Sequence, residues 1–249
     1  MFLTNPMFYL MAIPAVLVTG VSKAGFGGGL GVMAVPLLSL VISPRQAAAI
    51  MLPLLCLTDL FGTREFWKKW DANNLKILVP SSLCGVLVGT LLFRLLDTGK
   101  VQLVIGLIAV VFSVKFWCSR EVTAKAEAPD PVKGGFWGAV AGFTSFVAHA
   151  GSPPANVYLL PQRLDKTVFV ATSIVFYAFL NYAKLIPYLW LGLFQLDTLQ
   201  AALVLSPLVP ISTRLGRWLN QRLDSRQFYR ISYALLFLTG VKLIWDGMG

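Results

Sequence analysis

The sequence predicts an all-α polytopic membrane protein made of two inverted repeats, each a broken or re-entrant helix hairpin followed by three transmembrane helices. Three observations carry that prediction. Of 249 residues, 57% are hydrophobic and only 13% charged, about half the charge content of an ordinary soluble domain. The charges gather between long apolar runs, the pattern of a chain dissolved in lipid. Two of those runs are interrupted, at matching places in the two halves of the chain.

Six runs, at roughly 44–63, 75–95, 100–118, 166–189, 198–215 and 229–246, approach or exceed the length of about 20 residues that crosses a bilayer. Two further apolar regions are broken. Phe8 to Ile42 breaks at Gly25-Phe-Gly-Gly-Gly-Leu-Gly31, and Gly134 to Leu160 breaks at His149-Ala-Gly-Ser-Pro-Pro154. As one straight helix the first would be about 50 Å long, and split at the glycines each arm has roughly 14–16 residues, about 21–24 Å. The expectation is a hairpin of two short arms meeting near the midplane. Glycine and proline suit the turn, which is tolerated at depth only when buried or lining a wet cavity.

The halves repeat. Gly20 to Leu38 aligns with Gly142 to Leu160 at an offset of 122, which places Asp59 over Asn181. Further on, an offset of 127 pairs Pro80 with Pro207, Gly89 with Gly216 and Asp97 with Asp224, with Leu96 and Leu223 just before the aspartates. Repeat one is expected over about 7–118, a linker over 119–133 and repeat two over about 134–246, as one membrane domain across 1–249. With both broken regions returning to their starting side, the loops holding Arg64, Lys68 and Lys69, Arg120, Lys125 and Lys133, Arg163 and Lys166, and Arg214 through Arg230 share one face. The other face keeps little beyond Arg45, Arg94, Lys100 and Lys242. The positive-inside rule favours this arrangement, and three full crossings per repeat make the repeats inverted.

Several classes are set aside. The net charge of +10 sits in loops between apolar segments, so loop bias accounts for it and nucleic acid is not an expected partner. No basic n-region precedes the first apolar run, so a cleaved signal peptide is not expected. The three cysteines, Cys56, Cys84 and Cys118, form no CxxC or Cys/His grouping, which leaves disulfide and metal readings without support. No cofactor motif is present, and Ser, His and Asp show no strong catalytic arrangement.

The candidate binding residues gather at the breaks. Half-helices starting after Gly27, Gly28 and Gly29, and at Ser152 with Pro153 and Pro154 in the first turn, would aim free N–H groups and partial positive charge at an anion. Close helix packing is the alternative use for those glycines. Lys23 is an intramembrane cation, a counter-charge for an anion or else a side chain snorkelling to the surface. His149, the single histidine, is a candidate substrate contact and proton carrier. Asp59 is the first candidate for proton coupling, with a structural pair to Arg64 or Lys23 as the alternative. Ser173, Tyr177, Asn181 and Lys184 make one polar stripe on a helix face, and Asn156 could face the same cavity. The predicted substrate-binding set is Lys23, Gly27, Gly28, Gly29, His149, Ser152, Pro153, Asn156, Asn181 and Lys184. The arginines from Arg214 to Arg230 read as a topological determinant in contact with lipid headgroups.

At the two breaks the chain resembles the TauE/SafE sulfite exporter family, also called the 4-toluene sulfonate uptake permeases. Gly25-Phe-Gly-Gly-Gly-Leu-Gly31 with Pro36 carries the likeness in the first half. In the second it is carried by Gly142-Phe-Thr-Ser145, His149-Ala-Gly-Ser-Pro-Pro154, Tyr158-Leu-Leu-Pro-Gln-Arg-Leu-Asp165, Asn181-Tyr-Ala-Lys-Leu-Ile-Pro187 and Trp190-Leu-Gly192. The second turn departs from the glycine-rich turn that members often carry in both halves, which makes the two half-sites unequal. The resemblance implies a secondary transporter moving sulfite, a sulfonate or a related organosulfur anion across the bacterial cytoplasmic membrane. Expected partners are that anion and membrane lipid, with no nucleic acid, and a homodimer is left open. The rival expectations are an anion channel and, from another class, an intramembrane enzyme using His149 and Ser152.

Overall fold

The computed structural model describes residues 4–92, 98–118 and 126–248. The repeat markers Leu96 and Asp97 and the charges Arg94, Arg120 and Lys125 lie outside the described residues. Among the described residues every regular element is a helix: α1 (Pro6–Phe26), α2 (Ala34–Leu38), α3 (Pro44–Glu65), α4 (Ala72–Leu92), α5 (Thr98–Cys118), α6 (Pro131–Ala148), α7 (Ser152–Leu159), α8 (Lys166–Trp190), α9 (Leu196–Leu205), α10 (Leu208–Arg222) and α11 (Ser225–Met248). Four of the starts are written locally. The side chains of Asn5, Ser43, Asp130 and Asp165 accept from first-turn N–H groups, with proline in the first turn of α1, α3 and α6.

Five helices (α1, α3, α4, α8 and α11) are long and apolar enough to cross a membrane, and α9 with α10 makes a sixth, bent by 47°. Large apolar side chains such as Leu87, Leu91, Ile186, Leu203 and Leu238 stand exposed on them, as a lipid-facing surface requires. The chain is a multi-pass membrane protein. Two expectations need correction. The run at 198–215 is two helices, because Pro207 has no N–H to continue the ladder, and the Ser206 N–H closes a tight turn onto Leu203 O at 3.2 Å. The first broken region does not have two equal arms. α1 holds 21 residues, about 31 Å and enough to cross, whereas its return is a four-residue 3-10 turn, Leu30–Met33, and the five-residue α2. The Asn5 cap starts the helix early, and the glycines stop it only at Gly27, beyond Lys23.

Both broken regions nevertheless return to their starting end. The start of α1, the end of α2 and the start of α3 share one apolar cluster through Phe8, Leu38 and Ala47. For the second region, Asp130 N–H donates to Tyr158 OH at 3.3 Å, and Glu127 N–H to Pro161 O at 3.2 Å. The end carrying these latter contacts also holds the Arg217–Glu65 ion pair and the bond from Asp71 N–H to Thr172 Oγ1 at 2.8 Å. It is the arginine-rich end.

Helix pairing is set by small residues, which let backbones approach in the absence of a hydrophobic drive between helices in lipid. α4 lies parallel to α6, with a Cβ at Gly85 falling 2.0 Å from Ala139 O and one at Gly142 falling 1.9 Å from Ser82 O. α1 lies parallel to α10 through Gly20 against Ser212 and Gly25 against Gly216. α5 and α11 run antiparallel, Gly106 meeting Gly240 while Gly247 meets Gly99 and Leu103. α3 and α8 are also antiparallel, Gly62 meeting Ile174 and Asp59 meeting Asn181.

Candidate functional site

Both breaks are stopped by left-handed backbone. α1 ends at Gly27 (φ 69°) and Gly28 (φ 99°), with Gly27 N–H on Lys23 O and Gly28 N–H on Ser22 O at 3.2 and 3.0 Å. Glycine takes such angles without the Cβ penalty. α6 ends at His149, φ 51°, with the following Ala150 N–H on Thr144 O at 3.1 Å. A side chain other than glycine held there is uncommon and carries a conformational cost.

Between the breaks lies a cavity of about 50 Å³, walled by Lys23, Gly28, Ser145, His149, Ser152, Tyr177, Asn181 and Lys184 among others. At roughly 10–15 Å³ for each water centre, it has room for a few waters or one small anion. Its charges are deeply buried. Lys23 Nζ lies 2.5 Å from Asp59 Oδ1, with side chains 6% and 0% exposed. Asn181 Nδ2 donates to the other carboxylate oxygen at 2.7 Å. Lys184 Nζ donates to Ser145 Oγ at 3.0 Å and to its carbonyl at 3.3 Å. Among the described residues no carboxylate makes an ion pair with Lys184. Two lysines and one carboxylate leave the site one positive charge in excess. Tyr177 OH and His149 Nδ1, on two of the wall residues, are buried without a hydrogen-bond partner.

The predicted residues divide. Lys23, Gly28, His149, Ser152, Asn181 and Lys184 meet at the cavity. Asp59 stands behind it, paired with Lys23 rather than Arg64. Gly27, Gly29, Pro153 and Asn156 are not on the wall. Gly27 presses on the Phe169 ring and Ser173, and the Gly29 carbonyl accepts from Thr239 Oγ1 at 2.8 Å. Asn156 is buried in α7, its Oδ1 without a partner. Several backbone donors at the breaks are already used. Gly27 and Gly28 N–H groups are taken as above, Leu30 N–H binds Ser22 Oγ at 2.8 Å, and Pro153 and Pro154 have none. The side chains of Lys23, Ser145, His149, Ser152, Tyr177, Asn181 and Lys184 stand on the wall beside Gly28, Gly31 and Gly151. Ser145, Thr19 and Tyr188 are missing from the sequence-derived set. Each sits four residues along the helix from a residue in that set, Ser145 before His149, Thr19 before Lys23 and Tyr188 after Lys184, so i, i+4 spacing was the available signal.

A second, wider cavity of about 1190 Å³ opens toward the other end, lined by Arg45, Gln102, Lys242 and Trp245 at its rim and by Tyr188 and His149 at its floor. No cluster of three or more His, Cys, Asp or Glu side chains suited to a metal occurs among the described residues. A model of the family described as sulfite exporter TauE/SafE matches residues 12–243. No curated protein and no solved structure matches the chain.

Proposed function

The chain belongs to the sulfite exporter TauE/SafE family, and from that premise we propose that it is a secondary transporter carrying a small sulfur oxyanion, sulfite or a small sulfonate, through the lysine-lined cavity. The observation that carries this reading is the excess positive charge. A buried cation without a counter-charge is expensive in a membrane interior. A monoanion between Lys184, Ser152 and Tyr177 would neutralise the site and satisfy groups now without partners. The expected membrane is the bacterial cytoplasmic membrane, with the arginine-rich end inside by the positive-inside rule.

Alternating access between two inverted repeats is the proposed mechanism, and residue-level contacts support the duplication. Gly89 meets Phe143 and Phe146, and the residues at the sequence offsets of 127 and 122, Gly216, Val21 and Ala24, meet in the same way. The bond from Gly28 N–H to Ser22 O has its counterpart in Ala150 N–H to Thr144 O. Asp59 and Asn181, aligned with each other across the repeats, touch directly, as residues beside a two-fold axis must. Because the corresponding helices α3 and α8, and α5 and α11, run antiparallel, that axis would lie across them, in the membrane plane. A proton on Asp59 would release Lys23 to the anion, which is the proposed route for coupling.

Uptake of labelled sulfite and of a small sulfonate into proteoliposomes, with and without an imposed pH gradient, tests the proposal. Saturable uptake, competed by one anion and steepened by the gradient, is expected. Folded protein that moves neither anion would overturn the substrate assignment.

A further inference from the structure

We propose that His149 and Tyr188 form a thin gate between the wide vestibule and the inner cavity, so that their hydrogen bond controls passage of the anion. The inference rests on the transport reading above. His149 lines both cavities, and Tyr188 lines the vestibule floor beside it. His149 Nε2 and Tyr188 OH are 2.6 Å apart, joining the end of α6 to the last turns of α8. Phe146 and Phe194 hold the Tyr188 ring, with centroids 6.1 and 5.8 Å away.

Two contrasts with the other half of the chain single out this pair. At the aligned position the first break has Gly27, which takes its left-handed angle freely, whereas His149 adopts φ 51° with a side chain. Strain tolerated at one residue, where glycine serves in the matching place, points to a use for the side chain. The second contrast is thickness. On the arginine-rich side the first break is closed by several rings: Phe26 stacks on Phe228 at 6.1 Å, Phe169 meets Phe228 at 5.6 Å, and Gly27 is pressed against Phe169. Phe66, aligned with Tyr188, is buried there at 2% exposure. Toward the vestibule the two cavities share only His149 and Val35 as wall residues, and the barrier there is the histidine–tyrosine bond with Val35 beside it. This conformation therefore faces the end opposite the arginines, and opening the pair would join vestibule to cavity without moving the helices that seal the far side.

The test reads access rather than transport, so it can fail independently of the substrate assignment. Cys56, Cys84 and Cys118 are first replaced by alanine, and a reporter thiol is placed on the cavity wall by Leu55→Cys. An anionic methanethiosulfonate reagent is then added to the purified protein, with and without Tyr188→Phe or His149→Gly. Both changes are expected to speed labelling by about five- to tenfold, the factor for one lost hydrogen bond, with unchanged thermal unfolding as the check on folding. His149→Gly suits the left-handed backbone and should fold even where Tyr188→Phe does not. Equal labelling rates in folded variants would overturn the gate while leaving sulfite uptake untouched. Faster labelling in a protein that moves no sulfite would keep the gate and reject the substrate.

Discussion

Asp59→Asn isolates the charge balance on which the site depends. The Lys23–Asp59 contact is 2.5 Å, with neither side chain more than 6% exposed. With an effective dielectric of 20, the Coulomb attraction at that distance is about 6–7 kcal/mol. Desolvating the two ions costs several kcal/mol each, so the intact pair contributes little net stability. Removing one member is different, because Lys23 keeps its desolvation cost and loses its compensation. The expected loss is about 3–5 kcal/mol, roughly 10 °C in the unfolding midpoint for a chain of this size. Thermal unfolding of the detergent-solubilised variant measures it. Replacing both residues, Lys23→Met with Asp59→Asn, should restore most of the loss, since the uncompensated charge is gone. Sulfite should also rescue the single variant more than it stabilises the parent, because the cavity then carries two uncompensated lysines and binding stabilises the folded state by mass action. A loss below about 1 kcal/mol, the range of exposed ion pairs, would refute the reasoning by showing that water reaches the pair.

Lys184→Met removes the one cavity lysine without a carboxylate, and sulfite affinity should fall by about 30-fold or more, equivalent to about 2 kcal/mol. Its folding stability should hold or rise, since a buried cation is replaced by an apolar chain of similar length; titration of binding beside thermal unfolding separates the two effects. Gly142→Ala should destabilise by about 2 kcal/mol or more, because its Cβ would fall 1.9 Å from Ser82 O. Gly135→Ala, in the same helix with nothing within 4 Å of its Cβ, should be neutral or gain about 0.5–1 kcal/mol from helix propensity. Similar melting temperatures for these two variants would reject the close approach of α4 and α6.

Much of the architecture was legible because it is written locally. Apolar length marked five of the six uninterrupted runs closely enough to name the helices, and the caps at Ser43, Asp130 and Asp165 sit where the runs begin. The breaks were legible because few sequences other than glycine-rich or proline-rich ones stop a helix inside an apolar run. The unequal arms of the first region were not, since Gly25 read as part of the break but serves instead to admit Gly216. A small residue looks the same in the sequence whether it ends a helix or lets another one close.

The site divides along the same line. The sequence by itself determined that Lys23, Asp59, His149, Asn181 and Lys184 are polar groups in apolar surroundings, and periodicity put Tyr177, Asn181 and Lys184 on one face. Only the tertiary structure decided their partners: Lys23 with Asp59, Lys184 with Ser145, His149 with Tyr188. Those choices depend on which helices lie side by side and at what register, and they join residues 36 to 39 positions apart in sequence, with Asp59 reaching Asn181 across 122. Helical spacing carries information over one or two turns. Beyond that, the approach of glycine-lined helices fixes which buried charge is compensated and which is left for a ligand.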